Sequence, residues 1–332
     1  MIKLRAFDAG AGDSLLISSD SAAVLIDGGE SGAFDDHIAP ELATGPQLDL
    51  VVVTHWDGDH ILGIRNLYQQ QELAEVRAPA VRFNHFMSPD LGTPAPSGLD
   101  VTISSVEDGS ELVSLLRNRE VDVSGASAGE SIAFDDLVLS VLGPSQELLD
   151  EAESEWNEHI AALGQADVGL MAAIAAVEPD DSPTNRASIT TLVSEPGGPP
   201  LALLTGDTTS ADLIDQLVSA GIIGTWGCLH VPVLKVQHHA SERNVTTDFM
   251  ERVTADHYII SANGRHKNPD PSVLTLIIDA AVNEDAAIWF TSEGNTANQR
   301  ERIEQARLRV EDASVRIGNA PNTPVEIVLT PG

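Results

Sequence analysis

The chain has 332 residues, which is enough for one large domain or two small ones. Hydrophobic residues make up 42% of it and aromatic residues only 4%, so the core has to be built from Ala, Val, Leu and Ile. The 51 acidic residues outnumber the 18 Lys and Arg and give a formal net charge of −33, which argues against a broad basic surface for wrapping duplex nucleic acid.

The amino-terminal segment alternates like a strand and lacks the apolar region of a signal peptide. No apolar run reaches the length of about 18 residues that a membrane span requires. The single cysteine, Cys228, rules out an internal disulfide. We therefore expect a cytoplasmic protein without a membrane segment, and the sequence leaves its oligomeric state open.

Short strands separated by Gly and Asp turns dominate the first 55 residues. Strands are predicted at 2–8, 14–18, 23–27 and 50–54, with a helical turn or two within 33–42. A helix from 61 to about 73, a strand at 76–86, a loop at 88–98, a helix at 106–118 and a hairpin at 131–142 follow. Residues 146–180 then read as a helical insertion, which a Pro- and Asp-rich segment ends.

Strands and helices alternate in the second half of the chain. Strands are predicted at 189–193, 201–205, 233–236, 257–261, 288–291 and 325–329. Helices are predicted at 210–220, 245–252, 271–282 and 298–310. Two halves of this kind favour two sheets that face each other with helices outside, and no linker divides the chain.

The segment His55-Trp56-Asp57-Gly58-Asp59-His60 follows an apolar run that is typical of a buried strand. Four good metal ligands therefore lie where a strand ends and a helix begins. Two carboxylates packed this closely repel each other unless a cation lies between them. The segment predicts a metal site, and a solvated polar turn is the alternative.

Five segments, taken in order, resemble the metallo-β-lactamase-fold hydrolases. His55 to His60 resembles their His-x-His-x-Asp-His signature with Asp57 in place of the second His, a variant found in the hydrolase domain of ComEC-type competence DNA-uptake proteins. The other matching segments are Phe7 to Ser14 with Val24 to Gly29, Asn185 to Ser188, Leu204 to Asp207, and Lys235 to Ser241, in which Ala240 replaces Gly.

The resemblance implies a four-layer αββα sandwich that forms a single domain over residues 1–332. It also implies two divalent metal ions, Zn²⁺ or Mn²⁺, at one edge between the sheets. One ion is expected on Asp59, His60 and Asp207. The other is expected on His55, Asp57 and Asp207, whose carboxylate would bridge the two ions unless it only caps the following helix. Asp57, which replaces an imidazole, moves the preference from Zn²⁺ toward Mn²⁺ or Mg²⁺.

Two further positions complete the expected ligands. Neighbouring residues on a strand point to opposite faces, so one residue of the pair His238 and His239 is expected to bind metal, with His239 favoured. Downstream, the family has Tyr-Gly-His-Pro, and Asn268 occupies the position of that His. Either His266 has taken over as the fourth ligand of one ion, or Asn268 contributes only a carbonyl oxygen. His85 is a minor candidate for a ligand or substrate contact.

The leading hypothesis is a dinuclear metal-dependent hydrolase, a phosphodiesterase or nuclease that uses a hydroxide bridging the two ions. Two ions about 3.5–4 Å apart stabilise the entering and leaving oxygens of a phosphoryl displacement. Asp59 and Asp207 would hold the metals and orient the nucleophile. Lys235 would contact a substrate phosphate, unless it is an exposed lysine on an edge strand. A lactone or thioester hydrolase and a partner-binding module with a degenerate metal site are the alternatives, and the expected partner is nucleic acid or another phosphodiester.

Overall fold

The computed structural model describes residues 1–86, 101–165, 182–284, 286–292, 297–309, 315–317 and 324–330. Its strands are β1 (Ile2–Ala6), β2 (Leu15–Ser18), β3 (Ala23–Ile26), β4 (Leu50–Val53), β5 (Ala80–Phe83), β6 (Asp122–Ser124), β7 (Ser131–Ala133), β8 (Val138–Gly143), β9 (Thr190–Ser194), β10 (Pro200–Leu204), β11 (Leu229–Lys235), β12 (Val253–Ile260), β13 (Ala287–Phe290), β14 (Val315–Ile317) and β15 (Val325–Leu329).

The helices connect these strands on the outside of the molecule. They are α1 (Ser31–Ala33), α2 (Ala39–Thr44), α3 (Gly58–Gln69), α4 (Val101–Asn118), α5 (Gln146–Gln165), α6 (Pro183–Arg186), α7 (Ser210–Ser219), α8 (Thr247–Arg252), α9 (Pro271–Glu284) and α10 (Ala297–Arg309). A π-helical segment, Phe34–Ile38, joins α1 to α2, and Gln71–Val76 and Gln237–Ala240 are short 3-10 segments.

The strands form two sheets. Within the described residues, the first sheet has the order β15-β1-β2-β3-β4-β5-β6, and the second has the order β14-β13-β12-β11-β10-β9-β8-β7. The last strand pairs antiparallel with the first, with Leu4 opposite Ile327, and so closes the edge of the first sheet. Each sheet is antiparallel at one end and parallel at the other. In the first sheet β15 to β3 pair antiparallel and β3 to β6 pair parallel, and in the second sheet β7 to β10 pair antiparallel and β10 to β14 pair parallel.

Three hydrophobic cores define four layers. The central core contains inward-facing side chains of both sheets, for example Leu4 and Val52 from the first and Val193 and Val233 from the second. Another core lies between the first sheet and α3, α4 and α5, and the third lies between the second sheet and α7 to α10. Because strand residues alternate between faces, each sheet can serve two cores. The order helix, sheet, sheet, helix confirms the predicted αββα sandwich.

The parallel strands position the candidate site. β3 and β4 are parallel neighbours in the first sheet, and β10, β11 and β12 are parallel neighbours in the second. The carboxyl ends of parallel strands meet at one edge of a sheet, which is where open α/β sheets place their functional loops. The segments that follow these five strands therefore come together between the sheets.

Some predicted elements differ from the observed ones. The predicted strand at 76–86 is shorter, Ala80–Phe83, because the 3-10 segment occupies the residues before it. A short helix that was not predicted contains Asn185, since Pro183 starts it and the Ser182 hydroxyl accepts a hydrogen bond from the Asn185 N–H. The short strands β6 and β14 were not predicted.

The predicted insertion at 146–180 begins with the helix Gln146–Gln165, which packs against the first sheet through Trp156. The rest of it, and the predicted loop at 88–98, lie outside the described residues. Among the described residues, no helix is long and apolar enough to span a membrane. The extent of the insertion and the single-domain assignment stay predictions.

Candidate metal centre

A carboxylate oxygen of Asp207 lies at the centre of the site. The Nε2 atoms of four imidazoles approach Asp207 Oδ2: His239 at 3.3 Å, His60 at 3.5 Å, His238 at 3.6 Å and His55 at 4.0 Å. Asp207 is 3% exposed. The structure therefore brings together five of the predicted ligand residues in a space that water barely reaches.

The backbone around Asp207 explains how its carboxylate is presented. Gly206 has a φ of 54°, and a Cβ added there would lie 2.8 Å from the Cβ of Ser188, so glycine is required. Thr209 caps helix α7, since its hydroxyl accepts a hydrogen bond from the Asp212 N–H. Asp207 is therefore not the helix cap.

The segment from His55 to His60 runs from the end of β4 into helix α3. His55 and His60 are buried, whereas the side chains of Asp57 and Asp59 are 34% and 30% exposed. Asp57 Oδ2 lies 3.6 Å from His55 Nε2, and Asp59 Oδ1 lies 4.0 Å from His60 Nε2. The two imidazoles form the floor of the site and the two carboxylates line its open side.

Asp27, at the end of β3, orients both of these imidazoles. Its Oδ2 accepts a hydrogen bond from His60 Nδ1 at 2.8 Å and another from the Thr54 hydroxyl at 2.7 Å. The Thr54 hydroxyl also lies 3.0 Å from His55 Nδ1. Because Asp27 fixes the Nδ1 side directly for His60 and through Thr54 for His55, both rings direct Nε2 toward Asp207.

His238 and His239 do not follow the geometry predicted for a strand. Strand β11 ends at Lys235, and His238, His239 and Ala240 have φ values of 42°, 54° and 65°. Three consecutive left-handed residues turn the chain so that both imidazoles face Asp207. The expectation that only one of the pair points toward the site was wrong because it assumed an extended backbone. Left-handed backbone costs about 1–2 kcal/mol per residue, and Ala240 adopts it at the position where the motif that this segment resembles has Gly.

Lys235 differs from its prediction as a substrate-binding residue. It is 0% exposed and its ammonium forms an ion pair with Asp13, in the loop between β1 and β2. It is neither an exposed edge-strand lysine nor positioned to contact a phosphate. The sequence analysis did not identify Asp13, Asp27 or Ser261 as residues that contact the site. Asp13 and Asp27 lie in segments that carry the family resemblance.

His266 lies apart from the other candidate ligands. It is exposed, and it belongs to none of the clusters of potential ligands found among the described residues. The amide nitrogen of Asn268 lies 3.5 Å from the carbonyl oxygen of His238, so Asn268 contacts the turn that carries the histidine pair. The idea that His266 has replaced the missing ligand disagrees with this placement. His85 is half-buried beside Phe83 and is likewise in no cluster.

The chemistry of the site fits divalent metal ions. The Nε2 atoms of His55, His60 and His239 and the Oδ1 atom of Asp207 are buried and have no hydrogen-bond partner among the described residues. Buried polar atoms almost always have partners, so four such atoms in one place fit the ligands of a cation. Potential ligand atoms within 4.8 Å of one another form four groups among the described residues. Two of these groups consist entirely of predicted ligands, His55 with His60 and Asp207, and Asp59 with His60 and His239. His239 thus lies with Asp59 and His60.

The carboxylates and imidazoles shift each other's pKa values. Burial raises the pKa of Asp207, but the neighbouring imidazoles, His239 first, hold it well below its usual range. Burial lowers the pKa of His239, but Asp207 and Asp13 outweigh burial and raise that pKa to about 10. The pKa of His60 is raised in the same way, mainly by Asp207. A divalent ion that binds here therefore has to displace protons.

The sequence comparison agrees with this site. Residues 7–136 match the family model of the metallo-beta-lactamase superfamily, and they include the whole segment from His55 to His60. The chain has the metallo-β-lactamase fold. No curated protein matches it by sequence. The specific resemblance to ComEC-type proteins is not shown by these comparisons.

Several solved structures are similar to this metallo-β-lactamase-fold chain. A diphosphatase of the PhnP family is 12% identical, with 99% of this chain and 98% of that chain covered and a TM-score of 0.45. Igni18, a metallo hydrolase from Ignicoccus hospitalis, is 12% identical, with coverage of 99% and 100% and a TM-score of 0.44. YhfI from Bacillus subtilis is 12% identical, with the same coverage and a TM-score of 0.46. Similarity at this level says nothing about the substrate.

Proposed function

We propose that this chain is a dinuclear metal-dependent hydrolase that cleaves phosphodiesters. The observation that carries the proposal is the convergence of four imidazole Nε2 atoms on one buried carboxylate oxygen of Asp207. Asp57 and Asp59 lie beside this cluster, which gives enough nitrogen and oxygen ligands for two ions. A mixed set of this kind suits Zn²⁺ or Mn²⁺.

The buried and the partly exposed side chains of the site have different roles. Bound divalent ions would polarise a phosphoryl oxygen and lower the pKa of a water molecule. Asp207 is positioned to hold both ions, because it borders His55 on one side and His239 on the other. Asp57 and Asp59 are the partly exposed members, so substrate approaches the site between them.

The charge of the chain narrows the class of phosphodiester. A net charge of −33 repels a long polyanion, and the repulsion falls as salt screens it. The order of the motifs, which resembles that of the ComEC-type hydrolase domain, supports a nuclease. The charge supports a small phosphodiester or a short single strand over duplex DNA. We therefore place small phosphodiesters first and single-stranded nucleic acid second.

A substrate panel tests the proposal. Bis-p-nitrophenyl phosphate, single-stranded DNA and a lactone are each assayed with Mn²⁺, with Zn²⁺ and with EDTA. We expect metal-dependent cleavage of the two phosphodiesters, its loss in Asp207→Ala, and its retention in the control Asp49→Ala, which removes an exposed carboxylate directly before β4. Cleavage of the lactone alone would indicate a carbonyl hydrolase. A protein that binds no metal would indicate the degenerate partner-binding module.

A further inference from the structure

Asp13 and Lys235 form a buried ion pair beneath the metal centre. Lys235 is 0% exposed and Asp13 is 2% exposed. Asp13 comes from the loop after β1 in the first sheet, and Lys235 is the last residue of β11 in the second. Removing two charges from water costs several kcal/mol per ion, so an ion pair alone is a poor way to join two sheets. The residues around Asp13 indicate a second role for this ion pair.

The second oxygen of Asp13 faces His239. Asp13 Oδ1 lies 3.5 Å from His239 Nδ1, and the same nitrogen donates a hydrogen bond to the carbonyl oxygen of Ser261 at 2.8 Å. Two acceptors on one side keep the proton on Nδ1. The opposite nitrogen, Nε2, is then the one that binds metal once its proton is displaced, and it points at Asp207 and Asp59, 3.3 Å and 3.8 Å away.

The loop that carries Asp13 is fixed on its other sides. The carbonyl oxygen of Gly12 accepts a hydrogen bond from the Ser261 hydroxyl at 2.9 Å. A Cβ on Gly12 would lie 1.7 Å from the carbonyl oxygen of Asp59, so this loop is in direct backbone contact with the start of α3. One short segment therefore contacts Asp59, Ser261 and His239 together.

We propose that the Asp13–Lys235 pair positions His239 for metal binding, with Lys235 holding the Asp13 carboxylate against the Nδ1 side of the imidazole. Lys235 neutralises the carboxylate and engages its other oxygen, so Asp13 serves as an acceptor for His239. His239 Nε2 is thereby directed at the metal. Asp13 and Lys235 are positioning residues, and they act on the reaction only through His239. The inference rests on the metal site proposed above.

The test separates positioning from simple structural support. Asp13→Asn or Lys235→Met alone leaves one buried charge without its partner, and either variant can fail to fold for that reason. The double variant Asp13→Asn/Lys235→Met removes both charges with similar side-chain volumes, and its stability is measured by urea unfolding in EDTA. The matched control is Arg5→Met/Glu41→Gln, which removes a partly buried ion pair between β1 and α2 whose residues belong to none of the ligand clusters.

Metal affinity is measured by chelator competition with Zn²⁺. Spectra of ¹⁵N-histidine-labelled protein show which nitrogen of His239 binds Zn²⁺, and the variant His239→Asn identifies the signals of His239. We expect the double variant to fold and to bind Zn²⁺ roughly 10- to 100-fold more weakly, while the control binds as the wild type does. Unchanged affinity together with unchanged Nε2 binding in a folded double variant would overturn the inference and leave the proposed function intact. A wild-type chain that binds no metal would overturn both.

Discussion

Asp27 offers a quantitative test of how the imidazoles are oriented. Its buried carboxylate accepts hydrogen bonds from the Thr54 N–H at 2.8 Å, from the Thr54 hydroxyl at 2.7 Å and from His60 Nδ1 at 2.8 Å. In Asp27→Ala all three donors lose this acceptor, because the Thr54 hydroxyl meets the Nδ1–H of His55 at 3.0 Å as an acceptor and not as a donor. A buried polar group without a partner costs about 1–3 kcal/mol, so we expect a loss of about 3–9 kcal/mol.

The same substitution also releases the ring of His60. Loss of an acceptor behind a metal-binding histidine typically weakens metal binding by roughly 10- to 100-fold, which corresponds to about 1.4–2.7 kcal/mol. Urea unfolding in EDTA measures the loss of stability without metal, and chelator competition measures the affinity. The control is Asp49→Ala, since Asp49 is exposed and its carboxylate accepts one hydrogen bond, from the Ala23 N–H. We expect Asp49→Ala to cost less than about 1 kcal/mol and to leave the affinity unchanged.

The reasoning fails if Asp27→Ala unfolds within about 1 kcal/mol of the wild type and binds metal equally tightly. That result would mean that water or another group replaces the carboxylate. A variant that is destabilised but binds metal normally would show that Asp27 supports only the fold.

Three more predictions follow from the geometry. Gly12→Ala places a Cβ 1.7 Å from the Asp59 carbonyl oxygen and should lower the free energy of urea unfolding by about 1–3 kcal/mol or more. The control Gly32→Ala meets nothing within 4 Å and should change that free energy by less than about 1 kcal/mol. Equal effects of the two variants would contradict the close approach. His266→Ala should retain the metal content of the wild type in elemental analysis, because His266 is exposed and outside the clusters; loss of one ion would restore it as a ligand. In EDTA the midpoint of thermal unfolding should fall as the pH rises from about 6.5 to 10. The pKa of His239 is raised to about 10 in the folded state, so the stability that its protonated ring contributes is lost as the pH rises from the pKa of the unfolded state to that of the folded state. A midpoint that rises over this range would contradict the assignment.

The metal segment could be predicted from sequence because it is local. His55 to His60 lies within six residues after an apolar strand, and the strand itself fixes where the side chains emerge. Asp207 could be predicted for a similar reason, since Gly206 marks the turn that presents it. The alternation of strands and helices sufficed for the αββα layers, because each apolar face has to be buried against another layer.

Tertiary contacts account for what the sequence analysis missed. The charge of Lys235 predicted exposure, and only the proximity of Asp13, which is distant in sequence, makes its burial tolerable. The turn at His238 and His239 has no glycine to reveal its left-handed backbone. His266 lies two residues before Asn268, the expected ligand position, in the sequence. Tertiary contacts decide where its loop lies, and the spacing of residues along the chain does not reveal them.

The metal stoichiometry tests the central claim most directly. Elemental analysis of the purified chain after exposure to Zn²⁺ or Mn²⁺ and removal of excess ion should give two ions per chain in the wild type. Asp207→Ala, which removes the buried carboxylate that all four imidazoles approach, should hold fewer than one, while Asp49→Ala should still hold two. A wild type that retains no ion, or an Asp207→Ala variant that retains both, would contradict the account.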